Sequence, residues 1–271
     1  MPKLPFWGVV LLLGLASARL ARGQAATPLV IGQTFTLQSK ILGETRRLNV
    51  YLPAGYAAGA SQRLPVLYMP DGGLGEDFLH VAGLLQVLVA DGSMRPFLLV
   101  GIENTARRRD LTGPTTSAAD QKIAPRVGGS AAFRAFMRQE LMPEIQRRYR
   151  TTAETALVGE SLAGLFVVET LLLEPALFDT YLAFDPSLWW NTGQLAASAP
   201  ALLRGYVGPP RRAYLATSSQ GDTAATHQLA TALNREAARG FGSRYQLMPA
   251  ETHQTLYHPA ALWAFRLAFK P

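Results

Sequence analysis

Short apolar runs alternate along the chain with stretches that space their apolar residues as helices do. LPVLYMP (64–70) is a nearly continuous apolar run, as expected of a strand buried on both faces, FLLVGI (97–102) is another buried strand, and ALVG (156–159) and TYLAF (180–184) are further strands. RAYLATS (212–218) and RYQLM (244–248) continue the series. Strands alternating with helices predict an α/β fold, a mostly parallel central sheet with helices on both faces.

The remaining segments fit that frame. FTLQS (35–39) and RRLNVYLP (46–53) are short alternating strands joined by a Gly-containing turn, an opening hairpin. DFLHVAGLLQVLVADG has helical spacing and stops at Gly92. The polar segment from Glu103 to Gly129 is long for a loop inside a domain. Ser130 opens a helix with Phe133, Phe136, Met137, Leu141 and Ile145 on one face, and Pro143 predicts a kink or restart within it. Helices are also expected after Ser161, near residues 224–239 and from Pro259 to Phe269. No internal repeat or low-complexity tract interrupts the pattern.

Lys3, the apolar run Phe6–Ala16 and the small-x-small triplet Ala21-Arg22-Gly23 have the form of a cleaved secretory signal over residues 1–23, with a second candidate cleavage site at Ala16-Ser17-Ala18. The run is short for a bilayer span, and no later segment is long and apolar enough for one. The expected product is an exported bacterial protein, periplasmic or secreted, with residues 24–271 as a single domain. Removing residues 1–23 takes away Lys3, Arg19 and Arg22 and no acid, so the formal charge falls from +7 to +4. That weak excess, with no aromatics interleaved in the one basic cluster (Arg107–Arg109), argues against a nucleic-acid partner. The chain has no cysteine, which excludes disulfides, thiolate metal sites and a cysteine nucleophile.

The chemistry is concentrated at the junction TALVGESLAG (155–164), where Ser161 sits between an apolar strand and a helix. A strained strand–Ser–helix turn exposes the hydroxyl, aims the following N–H into the site and places a helix N-terminus beside developing negative charge. Gly159 is expected to be forced by the neighbouring strand, and Ala163 to serve as the second small residue. The alternative is a serine that only caps the helix. Order along the chain favours the nucleophile, because a base and its orienting acid should follow in later loops. His253, after RYQLM and before the last helix, stands where the base belongs, while His227 and His258 read as helix residues. Asp222, in the loop after RAYLATS, is the preferred acid, and Asp185, after TYLAF, is the alternative. Trp189 and Trp190 offer one residue for packing and one to wall a substrate pocket. The Arg107–Asp110 stretch is either an internal ion-pair loop or, through Arg108, a holder of an anionic substrate.

VLYMPDGG, VGIENTARRRDLTGPT, the block LVGESLAGLFVVETLLLEPALFDTYLAFDPSLWW and ETHQT together resemble the esterase D-like and ferric-siderophore-esterase-like family, known as putative esterases, of the α/β-hydrolase superfamily. The resemblance runs from about residue 30 to 268. It implies Ser161 as nucleophile and His253 as base, and an oxyanion hole from the Leu162 N–H and a backbone N–H at Gly72 or Gly73. The family commonly has Gly where this chain has Ala163, and often His where it has Glu160. The expected protein is therefore a serine hydrolase that cleaves carboxylic esters through an acyl-enzyme, without metal or organic cofactor. An acyltransferase on the same scaffold, or a non-catalytic binding protein of this fold, are the rival readings.

Overall fold

Eight strands form one sheet, and their order explains where the chemistry-bearing loops meet. The structure is a computed structural model that describes residues 26–56 and 61–271. The leader expected over residues 1–23 lies outside the described residues. Ile31–Pro271 make up one contact unit.

The opening hairpin is β1 (Gly32–Ser39) and β2 (Glu44–Tyr51), paired antiparallel across a turn at Gly43. Strands β3 (Leu64–Pro70), β4 (Leu98–Ile102), β5 (Thr151–Glu160), β6 (Thr180–Phe184), β7 (Arg211–Ser218) and β8 (Phe241–Met248) are parallel. The spatial order is β1-β2-β4-β3-β5-β6-β7-β8, with β2 antiparallel to β4. After β3 the chain moves one way to β4 and then returns past β3 to β5. The loops leaving β3 and β5 therefore diverge and leave a crevice at the carboxyl ends of the strands, where ligands of open α/β sheets bind. Every residue of β3, β4 and β6 is buried, as the apolar runs of β3 and β4 require.

Two cores flank the sheet. On one face, helix α1 (Phe78–Ala90) packs beside the last helix, α9 (Tyr257–Ala268), over Leu67, Val158 and Leu182. The opposite face carries α4 (Ser130–Phe136), α5 (Met142–Arg148), α6 (Leu162–Leu173), α7 (Gln194–Arg204) and α8 (Thr223–Arg235). Helix α6 is buried almost all round, matching its unbroken apolar sequence. Among the described residues no helix is long and apolar enough to cross a membrane.

Three local features differ from the sequence expectation. The segment 103–129 holds two one-turn helices, α2 (Arg107–Asp110) and α3 (Ala118–Gln121), each anchored by a buried aspartate. The Pro143 irregularity takes the form of a π turn over Met137–Leu141, which puts the proline at the start of α5 where its missing N–H costs least. Helix α7 has no counterpart in the expected elements, because Pro200 interrupts a pattern whose buried side is only Ala199 and Leu203.

Candidate active site

Ser161 directly follows β5 and precedes the first residue of α6. Its backbone takes φ +59° and ψ −120°, a region that L-residues avoid and that a strained elbow imposes. The surroundings hold that strain. Ser161 N–H donates to the Phe184 carbonyl (3.0 Å), and its own carbonyl accepts from Leu165 N–H (2.9 Å) and Ser187 N–H (3.0 Å). A Cβ on Gly159 would lie 2.6–2.7 Å from the backbone carbonyl and methyl of Ala163. The constraint on Gly159 thus comes from the returning helix and not, as the sequence suggested, from the neighbouring strand. Gly164 makes the matching approach to β6, where a Cβ would sit 2.9 Å from the Phe184 carbonyl oxygen.

The histidine lies in the loop after β8. Its Nδ1 is 3.1 Å from Asp185 Oδ2, and its backbone N–H donates to Gln220 Oε1. Asp185 follows β6, has φ +38° and is only 3% exposed. Ser218 N–H donates to its Oδ1 (2.7 Å) and Ser218 Oγ to its Oδ2 (2.5 Å), so both oxygens of the buried carboxylate are satisfied. Gly221 closes over it, since a Cβ there would come 2.1 Å from Oδ1.

Asp222, the preferred acid in the sequence, is used otherwise. Its carboxylate caps α8 by accepting from Ala225 N–H (3.1 Å). An aspartate just before an alanine-rich helix is a strong N-cap, and that local demand competes with any role toward His253. The loop TSSQGD still serves the histidine, through Ser218, Gln220 and Gly221. Sequence spacing pointed to this loop but gave no signal for those three residues. Ser161 Oγ makes no hydrogen bond to His253 among the described residues. Nε2 is the ring nitrogen that does not pair with Asp185.

The expected oxyanion donors divide. Leu162 opens α6, so its N–H has no intrahelical acceptor. Gly72 N–H donates to the Ile102 carbonyl (3.0 Å), and Gly73 N–H donates to Glu76 Oε2 (2.7 Å). Both glycine N–H groups are therefore engaged within the protein, a correction to their expected role. Gly72 lies so close to β4 that a Cβ would come 2.2 Å from Gly101 Cα, and its N–H extends the ladder there.

Trp190 is buried and donates Nε1–H to the Gly113 carbonyl (2.9 Å), so it is a packing residue. Trp189 is 49% exposed on the same loop that Ser187 fastens to Ser161. In the arginine cluster, Arg107 grips Asp71 with Nε and Nη2, both at 2.7 Å, and Arg109 pairs with Glu44 and Asp110. Arg108 is exposed and donates to the Ile123 carbonyl. It lines a groove of about 440 Å³ with Arg107, Arg109 and Arg126.

Carboxylates gather around Ser161. Burial raises Glu160 to about 8, with help from the charges of Asp77, Asp185 and Asp71 and opposition from Arg107. Burial also raises Asp77, to about 6, with Asp71 adding to the effect.

Residues 39–268 match the model of the family described as "Putative esterase". Ferri-bacillibactin esterase BesA of Bacillus subtilis is 33% identical over 159 residues, 51% of this chain and 50% of that protein. Siderophore triacetylfusarinine C esterase of Aspergillus fumigatus is 32% identical over 184 residues, 61% of this chain and 59% of the relative. These matches span half to three-fifths of the length of those relatives. Among solved structures, an IroE-like serine hydrolase from Shewanella oneidensis superposes with TM-score 0.78 at 30% identity, covering 88% of this chain and 80% of that one.

Proposed function

Because this chain belongs to the putative-esterase family and has its α/β-hydrolase fold, we propose that it is a serine esterase that opens carboxylic esters, with siderophore esters as the substrate class. The observation that carries the reading is the pairing of His253 with a buried, doubly hydrogen-bonded Asp185 in a fold whose β5 ends on the strained Ser161 turn. Asp185 holds the imidazole with its Nδ1–H inward, which fixes the tautomer and leaves Nε2 as the acceptor. As Ser161 Oγ attacks the ester carbonyl, Nε2 takes its proton. The tetrahedral oxyanion is met by the Leu162 N–H at the positive end of α6. Collapse expels the alcohol, which receives the proton back from His253. Water, deprotonated by the same nitrogen, then releases the acid and restores Ser161.

The siderophore class rests on what the relatives are named for. Arg108 supports it as an exposed cation suited to an anionic substrate, and Trp189 as an exposed ring suited to an aromatic one. We also propose export with removal of residues 1–23, which N-terminal sequencing of the secreted or periplasmic protein would check. An acyltransferase would use the same elbow and differ only in its acceptor.

The test is turnover of p-nitrophenyl acetate and of ferric siderophore esters by wild type and Ser161→Ala. Loss of at least about 10³-fold in kcat is expected, together with loss of fluorophosphonate labelling. Label on another serine would sink the assignment, and transesterification to added alcohols in preference to hydrolysis would favour the transferase.

A further inference from the structure

Glu160 is the last residue of β5 and stands directly before the nucleophile. Its Oε1 is buried and has no hydrogen-bond partner among the described residues. Glu160 is half-buried, and when ionised it has no donor at Oε1 to replace the water lost there. The groups facing it come from every neighbouring element. Asp71 and Asp77 lie on the stretch between β3 and α1, and Asp185 follows β6 with His253 behind it. Arg107 comes from α2, and Tyr257 comes from α9 with its hydroxyl also buried and unpartnered. Three carboxyl groups thus surround Glu160, and the guanidinium of Arg107 is already gripping Asp71 with two nitrogens.

We propose that Glu160 is a positioning residue that supports turnover only as the neutral acid, so that its ionisation sets the alkaline limit of esterase activity. The proposal rests on the serine-esterase reading above. Ester attack places a full negative charge on the former carbonyl oxygen, beside the Leu162 N–H. A half-buried carboxylate one residue before Ser161 opposes that charge. A neutral Glu160 does not. Burial raises Glu160 to about 8.

The experiment is the pH profile of kcat/KM for p-nitrophenyl acetate in wild type, Glu160→Gln and Glu160→Met, from about pH 5 to about pH 10. Wild type should fall on the alkaline side with a midpoint near pH 8. Both variants should lose that fall and exceed wild type by about fivefold or more at the alkaline end, with the acid limb keeping its midpoint. A merely structural role would lower the whole profile without changing its shape, and that result overturns the proposal. So does an alkaline fall that persists in the variants. Infrared titration of wild type covers the case in which the variants fold poorly. A protonated-carboxyl band should disappear with the same midpoint as activity, and a different midpoint overturns the proposal. Turnover that survives Ser161→Ala overturns the serine reading and this proposal together. Ser161-dependent turnover whose pH profile Glu160→Gln leaves unchanged overturns the role of Glu160 alone.

Discussion

An asparagine at position 185 keeps the shape of the side chain facing His253 and removes its charge. Its amide can also turn the wrong group toward Nδ1, so the imidazole loses both its tautomer and the partner for its cationic form. Asp185→Asn is expected to lower kcat by about 10³–10⁴-fold, with folding intact by circular dichroism. Asp222→Ala should leave kcat nearly unchanged and cost about 1 kcal/mol of stability, the worth of a helix cap. Equal kinetic damage from both would contradict the geometry around His253. The positions of Ser161 at a strand–helix elbow and of His253 in the loop after the last strand were legible, because chain order and the flanking apolar runs fix where those loops fall. Which aspartate faces His253 was not, because two aspartates follow successive strands and only three-dimensional packing shows which carboxylate Ser218 and Gly221 enclose. Gly72 and Gly73 were opaque for a similar reason, since no spacing rule shows that Ile102 and Glu76 already take their N–H groups.

Helices α1 and α9 cover one face of the sheet and meet at their N-terminal ends through His80 Nε2 and His258 Nδ1, 3.0 Å apart. His80 also lies edge-on to Tyr257, at 5.2 Å between centroids. Burial, and then the charge of His258, hold His80 below its ordinary value of 6.5. A histidine depressed in the fold binds its proton more readily when unfolded, so its contribution is complete above about pH 6.5 and is lost as pH falls through the folded value. Thermal unfolding should therefore show Tm falling more steeply between neutral and mildly acidic pH in wild type than in His80→Asn. Parallel curves would remove the histidine pair from the account of acid stability. Both helices were visible from their spacing. Helix α7 was not, because two buried positions and an internal proline leave too weak a periodic signal. At Pro143 the sequence announced an interruption, but choosing a π turn over a break depends on keeping Phe136, Met137 and Leu141 all buried.

At the scale of the whole molecule, strands alternating with helices implied a sheet covered on both faces, and that inference carries most of the architecture. What sequence alone does not convey is how the antiparallel hairpin is tied to the helical layer. Arg46 on β2 makes that connection while fully buried. Its Nη1 donates to Asp110 (2.6 Å), Thr105 (2.7 Å) and Glu44 (2.8 Å), and its Nη2 to the Glu103 carbonyl. Its guanidinium also lies over the rings of Phe133 and Phe136 on α4, at 5.1 and 5.9 Å. Removing one member of a buried ion pair leaves the other under-compensated, and here Asp110, among the described residues, would keep Arg109 as its one ion-pair partner. Arg46→Met is therefore expected to cost about 3–5 kcal/mol. For a domain of this size that is a fall in Tm of about 10 °C, readable by calorimetry. Adding Asp110→Leu removes the stranded charge, so the double variant should recover part of the loss even though it has fewer polar contacts. Additive destabilisation in the double variant would mean that the two residues act separately. Recovery would show that the network fixes where the hairpin docks more than it adds to net stability.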